Sequence, residues 1–370
     1  MGALFYFYTF TVMKRCLSYI LAFILFTSCN SSDDATQQQE QLPETSFFIK
    51  GVDASSIPQV RQSGIEMLNT AGHSEDMLTT LKNAGVNTIR IRLWKNPEDN
   101  HSSFQEVKAF ASEVKSMGMK VWLTVHYSDT WADPGSQTKP VVWQDLDFAT
   151  LQQEVYNYTA QIVTEIQPDY IQIGNEINSG FLFPEGNITN LSQFTTLLSK
   201  GISAVRDTSE DCKIILHYAG YEGAQSFYSE LIELDYDIIG LSYYPVWHGK
   251  DLTEFQNNIT TLANQYNKEI VIAETAYPFT LDWNDYTNNI IGSEDQLLPQ
   301  YTPTATGQKE YLQKIKQIIA QESKGIGFCY WGAELVAFNG PTATDGSATE
   351  NLAFWDFNNT ALPVLEVYQD

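Results

Sequence analysis

The sequence predicts an α/β protein built as a single (β/α)8 TIM barrel, on three observations. Short apolar runs of strand length recur eight times between residues 47 and 332. Segments with helical period separate them, such as SEDMLTTLKNAG and SSFQEVKAFASEVKSMGM. From Phe47 onward the pattern stays uniform with no second linker, so residues 47–370 read as one domain. An open doubly wound sheet uses the same alternation and stays open as the structural alternative. No glycine-rich phosphate loop follows the first run, so a dinucleotide site has no support.

Taken in order, the runs are FFIKGVDAS (47–55), TIRIRLW (88–94), KVWLTVHY (120–127), YIQIGNE (170–176), KIILHYA (213–219), IIGLSYYP (238–245), EIVIAET (269–275) and IGFCYWG (326–332). Between the first two, Ser74 ahead of Glu75-Asp76 reads as a helix N-cap, and Gly85 and Gly118 stand where helices stop.

Ahead of the domain, Lys14-Arg15 precede the apolar run CLSYILAFILF, which ends in TSC at Cys29. A charged start, an apolar stretch too short to span a membrane comfortably and small residues before a cysteine resemble a bacterial lipoprotein signal. Residues 1–28 are then the signal peptide and Cys29 the lipidated first residue of the mature chain; a simple secretory signal or a membrane anchor stays open as the alternative. Phe26 is bulkier than the usual leucine, and Met13 opens a more normal signal. NSSDD after Cys29 resembles the acidic surface-export signal of Bacteroidetes lipoproteins. Residues 29–46 are polar without apolar period and read as a disordered tether. The expected location is the outer membrane, lipid-anchored at the cell surface. Of four cysteines, Cys16 leaves with the signal and Cys29 carries lipid, so Cys212 and Cys329 are expected as buried thiols, with no metal spacing.

The formal charge of −24 repels polyanions and argues against nucleic acid as a partner. Aromatic content of 13% fits either a heavy core or a cleft that stacks sugar rings, and composition does not separate the two. A monomer is expected.

In a (β/α)8 barrel the active site forms where strands end. Those ends carry Arg90, Arg92 and Trp94, then His126 and Tyr127, Asn175 and Glu176, His217, Tyr243 and Tyr244, Glu274, and Trp331. Packing explains so polar a ring poorly, because desolvating these groups unpaired is costly. Glu176 and Glu274 close strands four and seven, across the mouth from each other. Two facing carboxyls point to glycoside hydrolysis, and a retaining mechanism needs them about 5–5.5 Å apart. One must stay protonated to donate to the leaving oxygen, and the other must be ionised to attack. Asn175 beside the acid can donate to the hydroxyl next to the anomeric carbon.

The chain resembles the family 53 endo-β-1,4-galactanases, retaining barrel enzymes of a large clan. The resemblance runs from GVDASS to FWDFNNTALPVL. It is most specific at GVNTIRIRLWKNP, HYSDTWADPGSQTKP, IQIGNEINSG, SYYP, KEIVIAET and NLAFWDFNNTALP. It implies retaining endo-hydrolysis of β-1,4-galactosidic bonds in pectic galactan, releasing galacto-oligosaccharides. Glu176 matches the acid/base, Glu274 the nucleophile, Asn175 the amide before the acid, and Arg90 the arginine that keeps the nucleophile ionised. His126, Asp129 and Trp131 fall in the strand-three signature bordering the cleft. His217 and Tyr244 match polar cleft residues, Trp331 the aromatic floor, and Trp94 is a further substrate-binding candidate. The family often reads YWEPAW after strand eight; here YWGAELVAFNG changes the rim. Bacterial relatives hold one structural calcium between the loops after strands seven and eight, and Asp285, Asn289 and Ser347 match that stretch. Oxygen ligands from two loops suit calcium. No cofactor is needed for the chemistry. Another clan member, a β-mannanase or cellulase, shares the carboxyl geometry. A non-catalytic glycan-binding lipoprotein would be expected to lack one of the two carboxyls.

Overall fold

The eight predicted strands close on themselves in chain order. The computed structural model describes residues 47–369; the expected signal peptide, Cys29 and the expected tether lie outside the described residues. Strands β1 (Ile49–Asp53), β2 (Thr88–Leu93), β3 (Lys120–Val125), β4 (Tyr170–Ile173), β5 (Lys213–Ala219), β6 (Ile238–Ser242), β7 (Glu269–Glu274) and β8 (Gly325–Tyr330) form one closed parallel barrel, β1 pairing with both β2 and β8. Closure leaves no strand edge unpaired.

Strand alternation sorts the residues into two cores. Ile49, Trp122, Tyr170, Ile215, Ile238, Val271 and Cys329 make a separate cluster contributed by seven different strands, which is the barrel interior. Their neighbours one position away, such as Val121, Leu216, Ile239 and Ile272, pack outward with helix residues in the larger cluster. Two residues further along the inward face come polar groups, among them Arg90, Thr124, Gln172 and His217, all buried. The lower interior is apolar and the upper interior is polar.

Helices α1 (Ile57–Ser63), α2 (Met77–Ala84), α3 (Phe104–Ser116), α4 (Phe148–Ile166), α5 (Leu191–Thr208), α6 (Ala224–Glu230), α7 (Pro245–His248), α8 (Leu252–Tyr266) and α9 (Ala305–Ala320) occupy the connections. Asp76, not Ser74, caps α2, its carboxylate accepting from Leu78 N at 3.0 Å and Thr79 N at 3.3 Å. An ionised cap suits the positive helix start better than a hydroxyl. Gly85 ends that helix at φ 102°, where a side chain would be strained. Cys212 and Cys329 are buried free thiols.

Candidate active site

Two adjacent residues of an extended strand point to opposite faces, yet Asn175 and Glu176 both line the same cavity. The backbone resolves this just past β4. Gly174 takes φ 77° and Glu176 takes φ 46°, both left-handed. A β-carbon on Gly174 would lie 2.5 Å from Ile177 Cγ2, so any side chain there would force Ile177 to shift and strain the turn. For a non-glycine residue such as Glu176 the left-handed conformation costs about 1–3 kcal/mol, a cost often found at functional positions. A second irregularity places the partner carboxyl. Leu241 pairs with Ile272 but Ser242 pairs with Glu274, a bulge that passes over Ala273. Val271 and Ala273 face inward, so regular alternation would send Glu274 outward; the bulge re-aims it into the barrel mouth.

The two carboxyls meet. A Glu176 oxygen and a Glu274 oxygen lie within 4.8 Å of each other, with a His217 nitrogen equally close. That separation belongs to the retaining geometry, short of the roughly 6.5–9.5 Å that an inverting water requires. Their surroundings differ. Glu274 Oε1 ion-pairs with Arg90 Nη2 at 2.7 Å, and Oε2 accepts from the Tyr244 hydroxyl at 3.0 Å. Glu176 Oε1 accepts from Ser242 Oγ at 2.5 Å, with no cation in contact among the described residues. Burial, then the Glu274 charge, pushes Glu176 up to about 8. Burial also raises Glu274, but Arg90 and the Tyr244 hydroxyl pull it back. The proton held by the pair therefore sits on Glu176, and Glu274 is the ionised member.

Arg90 is the hub beneath them. Besides Glu274 it pairs with Asp53 Oδ2 at 2.8 Å and donates to Asn175 Oδ1 at 2.9 Å. Asn175 donates one amide hydrogen to Ala132 O at 2.8 Å, leaving the other toward the cavity. Burial lowers both His126 and His217 well below the usual imidazole range, so both are neutral.

The cleft holds about 820 Å³. Trp94, His126, Trp131, Tyr244 and Trp331 line it as the sequence suggested. Trp131 is 43% exposed and meets Trp94 and Trp331 edge to face at 5.5 and 6.2 Å. Two predicted residues are placed otherwise. Asp129 does not border the cavity; its oxygens accept from Asn96 N at 2.9 Å and Val141 N at 2.8 Å, tying two loops together. His217 is fully buried below Glu176, both ring nitrogens engaged by protein groups, and it does not line the cavity.

Sequence reading missed Asp53, Ser242 and Trp247. Asp53 ends β1, a tip the sequence reading left out, and Ser242 ends β6, where only the following Tyr243 and Tyr244 were named. Trp247 follows the SYYP tip, is 56% exposed at the cleft wall, and meets Tyr244 at 5.2 Å.

Around the predicted metal position, Asp285 Oδ2 and Asn289 Oδ1 are buried acceptors with no protein donor, and so is Glu350 Oε2. Gly346 packs directly on Asp285 Oδ2, which brings the two loops into contact. Ser347 donates to Leu335 O at 2.7 Å. Unpartnered oxygens of this kind fit a hard cation such as calcium.

A parallel barrel whose mouth holds one protonated and one ionised carboxyl at this spacing defines a retaining glycoside hydrolase. The sequence profile of glycosyl hydrolase family 53 matches residues 49–368. The chain is 31% identical to the endo-beta-1,4-galactanase of Bacillus subtilis (strain 168), over 87% of this chain and 85% of that one. It is 33% identical to the arabinogalactan endo-beta-1,4-galactanase of Cellvibrio japonicus (strain Ueda107), covering 86% and 89%. The solved GH53 catalytic domain of Ignisphaera aggregans superposes with a TM-score of 0.83 at 38% identity, covering 87% of this chain and 95% of that one. The chain belongs to glycosyl hydrolase family 53.

Proposed function

We propose that this enzyme is an endo-acting, retaining β-1,4-galactanase that cuts pectic galactan and type I arabinogalactan into galacto-oligosaccharides. One observation carries the catalytic reading: two carboxyls within 4.8 Å, one beside a guanidinium and the other without a cation. The substrate reading is supported by the names of the relatives, which are galactanases at 31–33% identity.

In the first step a Glu274 oxygen attacks the anomeric carbon, the C1–O4 bond breaks, and Glu176 gives its proton to the departing O4. In the second step water attacks C1, its proton passes to Glu176, and the Glu274 carboxylate leaves. Arg90 and Tyr244 hold Glu274 ionised and positioned. Trp331 and Trp131 offer ring faces to sugars, and the free Asn175 N–H reaches toward the hydroxyl beside the reacting carbon. Chromatography of products from linear galactan over time, beside mannan and cellulose, tests this reading. Early oligosaccharides of mixed length from galactan are expected. Turnover of mannan or cellulose in preference to galactan, or monomer from the outset, would refute it.

The chain is also proposed to be lipid-anchored through Cys29 at the outer membrane and displayed at the surface, as a monomer. Labelled palmitate should enter the protein, and Cys29→Ala should release it from the membrane fraction; an unlabelled wild-type protein would end the idea. One structural calcium is proposed between the loops that carry Asp285, Asn289 and Ser347, with Glu350 as a further oxygen donor. Its role there would be to pin the loops, leaving the carboxyl chemistry to Glu176 and Glu274.

A further inference from the structure

We propose that Ser242 is a positioning residue for the acid/base, which together with His217 keeps the transferable proton on Glu176 Oε2. This rests on the reading of Glu176 as the acid. The chain of contacts is directional. The backbone N–H of Glu176, whose hydrogen is fixed by the peptide plane, points at His217 Nδ1 at 3.4 Å. Gln172 Nε2 approaches the same nitrogen at 3.0 Å. Asn175 Oδ1 also lies 3.2 Å from Nδ1, but it already accepts from Arg90 Nη2 at 2.9 Å and Gln172 Nε2 at 3.0 Å. With two N–H groups facing it, Nδ1 is assigned as the acceptor of a neutral ring and the ring proton to Nε2.

Nε2 lies 2.9 Å from Ser242 Oγ and donates to it. With its lone pair so engaged, the Ser242 hydroxyl hydrogen turns to Glu176 Oε1 at 2.5 Å. An oxygen that accepts this bond cannot also carry the acid proton along the same line. The proton is left on Oε2, which has no protein partner among the described residues and is not sealed from the cavity. The opposite tautomer would reverse every donor and put the proton on Oε1, turned away from any substrate. During the first step the proton leaves Oε2 for O4 and Ser242 tightens on the carboxylate that forms; in the second, Oε2 takes a proton back from water. No atom of Ser242 or His217 is consumed.

The test is Ser242→Ala, with Ser242→Thr as the conservative variant that keeps the hydroxyl. On galactan, kcat/KM of Ser242→Ala should fall about tenfold or more, the size of a lost bond to a charged group. Its basic pH limb should move up by about one unit, because a donor to the ionised acid is gone. On 2,4-dinitrophenyl β-galactobioside, whose leaving group needs no proton, kcat/KM should stay within about twofold of wild type. Ser242→Thr should recover most of the galactan rate. A basic limb that does not move, or an equal loss on both substrates, overturns the proposal. Glu176→Gln is run alongside. If it keeps activity on galactan, the acid assignment itself fails; if it spares only the activated substrate while Ser242→Ala behaves as wild type, this proposal alone fails. Should Ser242→Ala not fold, the 15N signals of the His217 ring in the wild-type enzyme decide. An Nε2–H tautomer unchanged across neutral pH is expected, and an Nδ1–H or cationic ring overturns the proposal.

Discussion

Tyr244→Phe isolates one of the two contacts that separate the nucleophile from the acid. The ring and its packing against Trp247 remain; only the hydroxyl that donates to Glu274 Oε2 at 3.0 Å is removed. The Tyr244 hydroxyl makes no other hydrogen bond among the described residues, so no second partner is stranded. A hydrogen bond to a charged acceptor contributes about 1.5–3 kcal/mol. At about 1.36 kcal/mol per pKa unit, its loss raises the pH at which Glu274 ionises by about one to two units. Arg90 stays at 2.7 Å and limits the shift to the lower part of that range. The sign is fixed: the phenol favours the anion, so without it Glu274 takes up a proton at higher pH. The acidic limb of kcat/KM on linear galactan, measured from initial rates between roughly pH 4 and 9, should therefore move up by about one unit. The limb belongs to the coupled pair, so the pH optimum narrows from its acidic side. A variant slowed at every pH with its acidic limb in place would show that Tyr244 only positions groups and does not tune Glu274, refuting the electrostatic account.

Glu176 is held at about 8 in the folded protein against about 4.3 in an unfolded chain. A carboxyl raised by folding leaves stability intact below the unfolded value and takes it away as pH rises toward the folded one. Glu176→Gln should thus melt higher than wild type at pH 8, with a smaller gain at pH 5, while losing galactan hydrolysis. An identical melting difference at both pH values would contradict the burial argument. Gly174→Ala should drop activity by about a hundredfold or more with circular dichroism unchanged, since a misplaced acid defeats catalysis without undoing the barrel. Wild-type turnover in that variant would show that the left-handed turn is dispensable. Trp131→Ala, at a half-exposed position, should raise KM on galactan about tenfold and leave the melting temperature nearly unmoved; an unchanged KM would remove Trp131 from the sugar-binding surface. Chelation with EGTA should lower the melting temperature of the wild type, and added calcium should restore it. Asp285→Asn should be insensitive to both. A wild-type enzyme indifferent to EGTA would end the calcium proposal.

The barrel was legible because its signal is repeated. Eight short apolar runs fall close to eight observed strands, differing only by a few residues at the ends. The two glutamates were legible because strand tips are where this fold does chemistry. What could not be read lies in departures from period two. Alternation in EIVIAET turns Glu274 away from the barrel once Val271 faces in, and only the bulge over Ala273 brings it back. Asp129 sits inside a specific signature, yet its role is to receive two backbone hydrogens. Nothing in the letters distinguishes a carboxylate that braces a loop from one that faces a sugar. Ser242 was invisible for a different reason: a serine in a strand looks ordinary until the histidine and the acid on either side of it are in place.

The division of labour between the two carboxyls follows from their neighbours, because both are buried against each other and burial alone would raise both. Like charges at this distance share one proton, and its location is decided by whatever stabilises one anion over the other. Glu274 has a guanidinium and a phenol; Glu176 has a single hydroxyl. Arg90 could not perform this role if it were free to swing toward Glu176. Asp53 fixes it from below at 2.8 Å, and Asn175 and Gln172 fix it from the side. The same Asn175 that offers an N–H to the cavity is thereby locked by Arg90. A change in the charge hub would disturb acid, nucleophile and sugar contact together, whereas Tyr244 and Ser242 each touch one carboxyl and so give access to the two halves of the mechanism separately.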